Sequence, residues 1–146
     1  MKIMKTDEQA LRIMACLARN DDQMTLAGVA GAENLPQPMV TKLLAMMRRG
    51  GVVQTTRGRN GGYELARPAT EISVADVLRS LGKPLIEGAA CTAADPLDKA
   101  CPHAGDCGLR SVWTEVASRI TDVLENTSLA DLCGRETTVT LLVMEG

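Results

Sequence analysis

The chain has 146 residues, of which 45% are hydrophobic and 23% are charged, and its formal net charge is −2 at pH 7. This length suits one domain with an appended element and is too short for two full domains. No stretch approaches the roughly 18 continuous apolar residues of a membrane span, and the N-terminus turns acidic before any hydrophobic run develops, so we expect a cytoplasmic protein with no membrane partner.

The charge is unevenly distributed. Residues 1–68 carry a net charge of +4 and residues 69–146 a net charge of −6, and six of the basic residues lie between Lys42 and Arg67. Such a run is typical either of a solvated helix face or of a phosphate-binding surface. With no phenylalanine, one tyrosine and one tryptophan, the chain lacks the aromatic platforms on which single-strand and RNA binders stack bases. Duplex DNA is therefore the favoured partner.

Three helices are predicted in the first third of the chain. Residues 6–19 place apolar side chains on one face at helical spacing, a short second helix begins after Thr25 as N-cap, and a third begins near Pro38 and ends at the sequence RRGG. This order is that of a helix-turn-helix. Residues at the start of the third helix are placed to meet base edges, and our candidates are Gln37, Met39, Thr41 and Lys42.

Two short strands, VVQTT and YELAR, follow directly and flank the sequence RGRNGG, whose glycines permit a tight hairpin. A recognition helix followed by a basic hairpin is typical of a winged helix-turn-helix, although another small α+β domain would share the pattern. The predicted fold is mainly α with a small β-hairpin. Arg57, Arg59 and Asn60 are the candidates in the wing for contacts with phosphate or the minor groove.

Residues 73–82 predict another short helix, with Ser73 as N-cap, Asp76 three residues later and Gly82 as the stop. From Leu109 to about residue 125 one apolar stripe continues at helical spacing. We expect this long helix to pair with its duplicate in a homodimer, with packing against its own domain as the alternative. The division is a winged helix-turn-helix domain at 1–82, a cysteine-bearing loop at 83–107, and a dimerisation helix with a C-terminal tail at 108–146.

Three of the five cysteines, Cys91, Cys101 and Cys107, lie in that loop with the single histidine, His103. In a reducing cytosol, clustered thiols indicate ligands or redox sensors rather than structural disulfides. Nine and then five residues separate them, which matches none of the close cysteine pairs of zinc sites or ferredoxins. An iron–sulfur cluster, a thiol–disulfide switch, zinc and no ligand role remain alternatives. The other two cysteines, Cys16 and Cys133, are interpreted as buried core thiols.

The chain resembles the Rrf2 family of bacterial regulators, of the IscR, NsrR and RirA type. The resemblance runs from ALRIMACLA to LADL and is most specific in the sequence RGRNGGY and in three cysteines between a short helix and a long one. It implies a homodimeric winged-helix transcription factor that carries an iron–sulfur cluster on Cys91, Cys101 and Cys107. In IscR-like members the fourth ligand is a histidine, but Arg110 occupies that position here.

The resemblance to NsrR-like members places a carboxylate, Glu8, as the fourth ligand from the partner subunit, beside Asp7. His103 is the alternative, but it is so close to Cys101 that it would have to fold back sharply. Three cysteines with a carboxylate favour a four-iron over a two-iron cluster.

The expected function is therefore an iron–sulfur-dependent transcriptional regulator, a repressor that senses nitric oxide, iron or cluster status, or redox state. A metal-free regulator with a thiol–disulfide switch is the alternative, and an iron–sulfur electron-transfer protein is a third. No catalytic triad, phosphate-binding glycine loop or paired catalytic carboxylates can be found in the sequence. We expect no enzymatic activity.

Overall fold

The computed structural model describes residues 4–59, 61–86 and 107–134. Its helices are α1 (Lys5–Ala18), α2 (Leu26–Glu33), α3 (Gln37–Arg49), α4 (Val74–Ser80) and α5 (Gly108–Glu125), with a 3-10 turn at Ala69–Glu71. The strands are β1 (Val53–Thr56) and β2 (Gly62–Leu65), and residues 129–134 are again helical. The predicted fold class, mainly helical with one hairpin, is confirmed.

Short polar side chains fix the helix starts, as the sequence predicts. The Thr25 hydroxyl accepts the Gly28 backbone N–H at 3.0 Å, which caps α2. At α4, Ser73 Oγ accepts the Asp76 N–H and Asp76 Oδ2 accepts the Ser73 N–H, both at 3.0 Å, so the two residues form a reciprocal capping box. Gly82 follows α4 with φ of +74°, a left-handed conformation that favours glycine.

The core lies between α1, α3 and α4 and is closed by α2 and β1. The apolar residues of α1 and α3 recur at intervals of three or four positions, which places them on the helix faces turned toward one another. The large side chains that are fully or almost fully buried are Ile13, Met14, Val29, Val40, Leu44, Met47, Val52, Ile72, Val77 and Leu129.

The strands form a two-stranded antiparallel sheet. Val53 is paired with Leu65, and the register continues to Thr56 opposite Gly62. Gln54 Nε2 donates to Glu64 Oε1 at 2.8 Å across the sheet. This hairpin begins four residues after α3 ends, and β1 packs against α3.

The segment after α5 returns to the core formed by α1, α3 and α4. The Val74 N–H donates to the Thr127 carbonyl at 2.8 Å, and the Leu129 N–H donates to the Ile72 carbonyl at 2.9 Å. Arg79 of α4 also pairs with Glu125 at the end of α5. Helix α5 is therefore fixed to the domain at its C-terminal end, while Leu129 contributes to the same core as α1 and α3. Across the described segments, no helix is both long enough and apolar enough to cross a membrane.

Substitution of Gly62 tests the packing of the hairpin against Met24. A Cβ at residue 62 would lie 2.5 Å from the Met24 carbonyl oxygen, and because that atom is backbone it cannot move aside cheaply. We expect Gly62→Ala to lower the free energy of unfolding by about 1–3 kcal/mol. Gly31→Ala is the matched control, since nothing lies within 4 Å of a Cβ there and residue 31 is within α2. It should raise the free energy of unfolding by about 0.4–1 kcal/mol. Urea denaturation at one protein concentration measures both changes.

Candidate nucleic-acid interface

The turn between α2 and α3 sets the direction of α3, the predicted recognition helix. Asn34 adopts a left-handed conformation with φ of 51° and ends α2, and the Leu35 N–H donates to the Ala30 carbonyl at 3.0 Å. Pro36 then stands as the N-cap of α3, and a second proline, Pro38, occupies its first turn. Proline suits this position because its ring presets φ and its missing N–H is one that the first turn would leave unpaired.

Helix α3 presents a polar outer face. Gln37, Thr41 and Lys42 are exposed, as are Arg48 and Arg49 at the other end of the helix. The Thr41 hydroxyl donates to the Gln37 carbonyl at 2.9 Å, so it is engaged within the helix. The fourth candidate, Met39, is only half exposed and packs against the core. Gln37 and Lys42 are thus exposed candidates, and no side-chain hydrogen bond is recorded for either among the described residues.

The hairpin is anchored to the residues before α2. The Met24 N–H donates to the Tyr63 carbonyl at 2.9 Å, and the Tyr63 N–H donates to the Met24 carbonyl at 2.8 Å. The Thr56 hydroxyl donates to Gln23 Oε1 at 2.5 Å. These contacts fix the wing beside the helix-turn-helix, and the sequence analysis did not foresee Gln23 or Met24 in that role. A single isolated bridge between distant residues leaves no periodic signal.

The tip of the wing is built on glycine. Gly58 has φ of +125°, and a Cβ at Gly61 would lie 2.6 Å from the Thr56 carbonyl oxygen. Only glycine permits both the backbone conformation and this close approach. The tight turn exposes Arg57 and Arg59. Asn60, the third candidate in the wing, lies outside the described residues.

Ion pairing distinguishes this surface from the rest of the protein. Arg12, Arg67, Arg79 and Arg119 each pair with a carboxylate. Within the described part of the chain, the structure records no ion pair for the basic residues on α3 and at the wing tip, which are Lys42, Arg48, Arg49, Arg57 and Arg59. Unneutralised cations on adjacent elements form the electrostatic footprint of a phosphate-binding surface.

Arg59 tests the wing. We expect Arg59→Ala to weaken binding to all duplexes similarly and to reduce the slope of log K against log salt by roughly 0.9, because one phosphate contact is lost. Arg119→Ala removes the same charge from α5 and should leave the slope unchanged. Fluorescence anisotropy at several salt concentrations measures both. A loss of preference at one base pair with an unchanged slope would instead identify Arg59 as a base reader.

Of the proposed ligand cysteines, the described residues include Cys107, which is half-buried and stands as the N-cap of α5. Cys91, Cys101 and the alternative ligand His103 lie outside the described residues.

The two cysteines interpreted as core thiols differ in burial. Cys16 is 5% exposed and its thiol donates to the Met24 sulfur at 3.6 Å. Burial, and next the negative charge of Glu33, raise the pKa of Cys16, so a neutral core thiol is favoured there. Cys133, also interpreted as a core thiol, is only half-buried, and its sulfur donates to the Ala15 carbonyl at 3.9 Å.

The first turn of α1 distinguishes the two carboxylates considered as ligands. Asp7 Oδ2 accepts the Met4 N–H at 3.0 Å, and its Oδ1 lies 3.7 Å from Lys83 Nζ. Asp7 therefore caps its own helix and pairs with a lysine. Glu8 is exposed on the same turn. Within the described residues, no group of three or more histidine, cysteine or acidic side chains could hold a metal ion.

The apolar stripe of α5 is divided in two. Ile120 and Leu124 are half-buried. The other large apolar residues of the stripe are between 39% and 63% exposed, and they are Leu109, Val112, Trp113, Val116 and Val123. A face of this kind on a long helix marks an interaction site.

A short helix, a turn, a presented helix and a basic antiparallel wing on one core define a winged helix-turn-helix DNA-binding protein. The chain belongs to the Rrf2 family, described as iron-dependent transcriptional regulators, whose family model matches residues 3–135. The protein is a DNA-binding transcriptional regulator of that family.

Relatives and solved structures agree with this assignment. The chain is 36% identical over 137 residues to Rv1287 of Mycobacterium tuberculosis H37Rv, a protein named as an HTH-type transcriptional regulator. The match covers 92% of this chain and 82% of that protein. It is 32% identical over 133 residues to Rhizobium meliloti protein aau3, with 90% and 84% covered.

Three similar solved structures are those of two named regulators, CymR and IscR. CymR, titled the global cysteine regulator of B. subtilis, has a TM-score of 0.73 at 26% identity, with 92% of this chain and 98% of that chain covered. IscR of T. potens has a TM-score of 0.69 at 28% identity, with 93% and 88% covered. A Staphylococcus aureus CymR structure titled as the oxidised form has a TM-score of 0.64 at 30% identity, with 91% and 96% covered.

Proposed function

We propose that the protein is a homodimeric repressor whose affinity for operator DNA is set by an iron–sulfur cluster. Cys91, Cys101 and Cys107 would hold the cluster, and Glu8 of the partner subunit would complete it in a four-iron arrangement. The observation that carries this proposal is the position of Cys107 at the first turn of α5, in a family described as iron-dependent. Nitric oxide, iron supply or redox state would be read as a change in the cluster.

The donor set fits such a group. Thiolates are the soft ligands that iron–sulfur clusters require. Cys107 is half-exposed, whereas Cys16 is buried among core side chains, so Cys107 is the more accessible of the two thiols. Glu8 is exposed, whereas Asp7 is engaged with Met4 and Lys83. When bound, the cluster would supply reactive iron and join the cysteine segment of one chain to α1 of the other.

Helix α5 can transmit a change at its start to the DNA-binding domain. Cys107 precedes the helix, whereas its far end is held to α4 by the Arg79–Glu125 pair and by the backbone bonds of Thr127 and Leu129. If the exposed face of α5 pairs with its duplicate, a displacement at the start of α5 alters the spacing of the two α3 helices. Dimeric readers depend on that spacing.

A metal-free thiol–disulfide switch is the second candidate. It is favoured by the likeness to the S. aureus CymR structure titled as the oxidised form. The three loop cysteines would serve this chemistry as well, because a thiolate is both the metal ligand and the nucleophile of disulfide exchange. A colourless protein with full DNA-binding activity after anaerobic reconstitution would support this candidate against the cluster.

Absorption and Mössbauer spectra of anaerobically purified variants test the ligand set. Replacing any one of Cys91, Cys101 and Cys107 by alanine should abolish cluster retention, because three thiolates are the minimum core of the site. Cys16→Ala and Cys133→Ala are the matched controls, and their spectra should match that of the wild type. Glu8→Ala should yield a cluster that assembles but decays faster in air, and His103→Ala should have little effect. If His103→Ala bleaches the protein while Glu8→Ala does not, the carboxylate from the partner subunit must be abandoned.

A further inference from the structure

A cavity of about 380 Å³ lies behind the recognition helix, between the start of α1, the inner side of α3 and the end of α4. Its walls are mainly apolar and include Met39, Leu43, Met46 and Leu81. This volume falls within the roughly 300–1,000 Å³ typical of small-molecule sites, and an apolar lining with a few polar groups is their usual composition. Neither the iron–sulfur ligands nor the wing uses it.

Three polar side chains converge on the cavity, which are Thr6, Lys42 and Lys83. Thr6 Oγ1 is buried and has no hydrogen-bond partner among the described residues. A buried hydroxyl without a partner costs about 1–3 kcal/mol and is satisfied by a bound polar group. Lys83 Nζ donates to the Met4 sulfur at 3.1 Å and lies 3.7 Å from Asp7 Oδ1, beyond hydrogen-bonding distance. Its ammonium therefore keeps donors for another acceptor.

We propose that this cavity binds a small amphipathic carboxylate with an unbranched apolar chain. The chain would lie along the two methionines, whose flexible thioethers adapt to irregular apolar shapes. The carboxylate would accept from the Lys83 ammonium and the Thr6 hydroxyl, so that Thr6 Oγ1 gains a partner and Lys83 gains an acceptor within hydrogen-bonding distance in addition to its ion pair with Asp7. The two lysines disfavour a cationic ligand, and the volume of the cavity suits a small molecule.

The ligand would also act on DNA binding, a consequence that rests on the proposed DNA contact of Lys42. This lysine borders the cavity and is exposed on α3. A carboxylate bound in the same cavity lowers the positive potential at Lys42, which would otherwise meet phosphate. Occupancy is therefore expected to weaken operator binding.

Calorimetric titration with octanoate, without DNA, tests the site directly. Lys83→Gln should raise the dissociation constant about tenfold and Thr6→Val about fivefold, as loss of a charged and of a neutral hydrogen bond implies. Lys5→Gln, at an exposed lysine of α1 outside the cavity, is the matched control and should leave the constant unchanged. Octan-1-ol should bind at least tenfold more weakly than octanoate. Equal affinity for the alcohol, an unaffected Lys83→Gln variant or no binding of octanoate would overturn the proposal.

Methionine methyl spectra locate the bound probe. Resonances of Met39 and Met46 should shift on addition of octanoate, whereas those of the fully buried Met14 and Met47 should not. Shifts confined to other methionines would place the ligand elsewhere and overturn the site.

A second measurement separates this proposal from the proposed function. At saturating octanoate, operator affinity should fall about tenfold in the wild type. Lys83→Gln should bind DNA as the wild type does without octanoate, and the octanoate concentration that produces half of this fall should be about tenfold higher in the variant. Octanoate binding that leaves operator affinity unaltered would overturn the regulatory role. Failure of the cluster experiments with an intact octanoate response would reject the iron–sulfur sensor and leave this site standing.

Discussion

The double substitution Val112→Glu/Val116→Glu is expected to convert the protein from dimer to monomer and to lower operator affinity at least a hundredfold. The two residues are 56% and 39% exposed on successive turns of α5, within the apolar stripe that we propose as the dimer face. Glutamates there would place four unpaired charges into one symmetric apolar interface. A monomer also loses the high effective concentration that holds the second half-site reader near the DNA.

The fold of the protomer should survive this change. The replaced side chains are exposed in the single chain, and glutamate has a higher helix propensity than valine. Ser118→Glu is the control because it adds one glutamate to the opposite face of the same helix, and it should remain dimeric. Sedimentation velocity gives the oligomeric state, and circular dichroism verifies the helical content. If the double variant still sediments as a dimer with wild-type operator affinity, the stripe is not the dimer face.

Where contacts between residues close in sequence determine the structure, the sequence predicts the fold closely. Thr25, Ser73 and Asp76 cap their helices in the structure because a side-chain oxygen needs only a backbone N–H two or three residues away. The two longest predicted helices, 6–19 and 109–125, match α1 and α5 to within one residue at each end. Apolar periodicity over three or more turns leaves few alternatives for such segments.

Contacts between distant segments could not be predicted in this way. The bridge from Met24 to Tyr63 and that from Ser73 to Ser128 each join single residues across long separations, with no pattern to mark them. The sequence predicts one continuous apolar face on α5. In the structure, Ile120 and Leu124 are half-buried, whereas Val123 is 63% exposed. Periodicity identifies a face, but which part of it a neighbouring helix covers depends on the tertiary packing.

The sequence predicts only part of the candidate DNA surface. Composition located the basic region, and the structure then brought α3 and the wing together at one side of the core with their cations unneutralised by described carboxylates. The sequence could not foresee that the Thr41 hydroxyl donates to Gln37 or that Met39 packs inward. Both depend on side-chain rotamers and on the helices that pack behind α3.

The state of the cysteine site is expected to set operator affinity. We predict that the cluster-loaded protein binds its cognate operator at least tenfold more tightly than the cluster-free protein, about 1.4 kcal/mol, with a far smaller difference on random DNA. The reason is that Cys107 precedes α5, and the end of α5 is joined to α4 of the DNA-binding domain by the Arg79–Glu125 ion pair. A shift of the dimer axis misplaces both α3 helices against a half-site repeat of about 34 Å.

Random DNA serves as the internal control, because contacts with phosphate do not require both helices to meet fixed base pairs. Each good base contact contributes about 1–3 kcal/mol of discrimination, so the loss of one contact per half-site suffices for the predicted change. Anaerobic fluorescence anisotropy before and after nitric oxide or iron chelation measures it, with Cys107→Ser as the variant locked in the cluster-free state. Equal operator affinity in every state, or an affinity of Cys107→Ser equal to that of the cluster-loaded wild type, would exclude a sensory role for the three thiols.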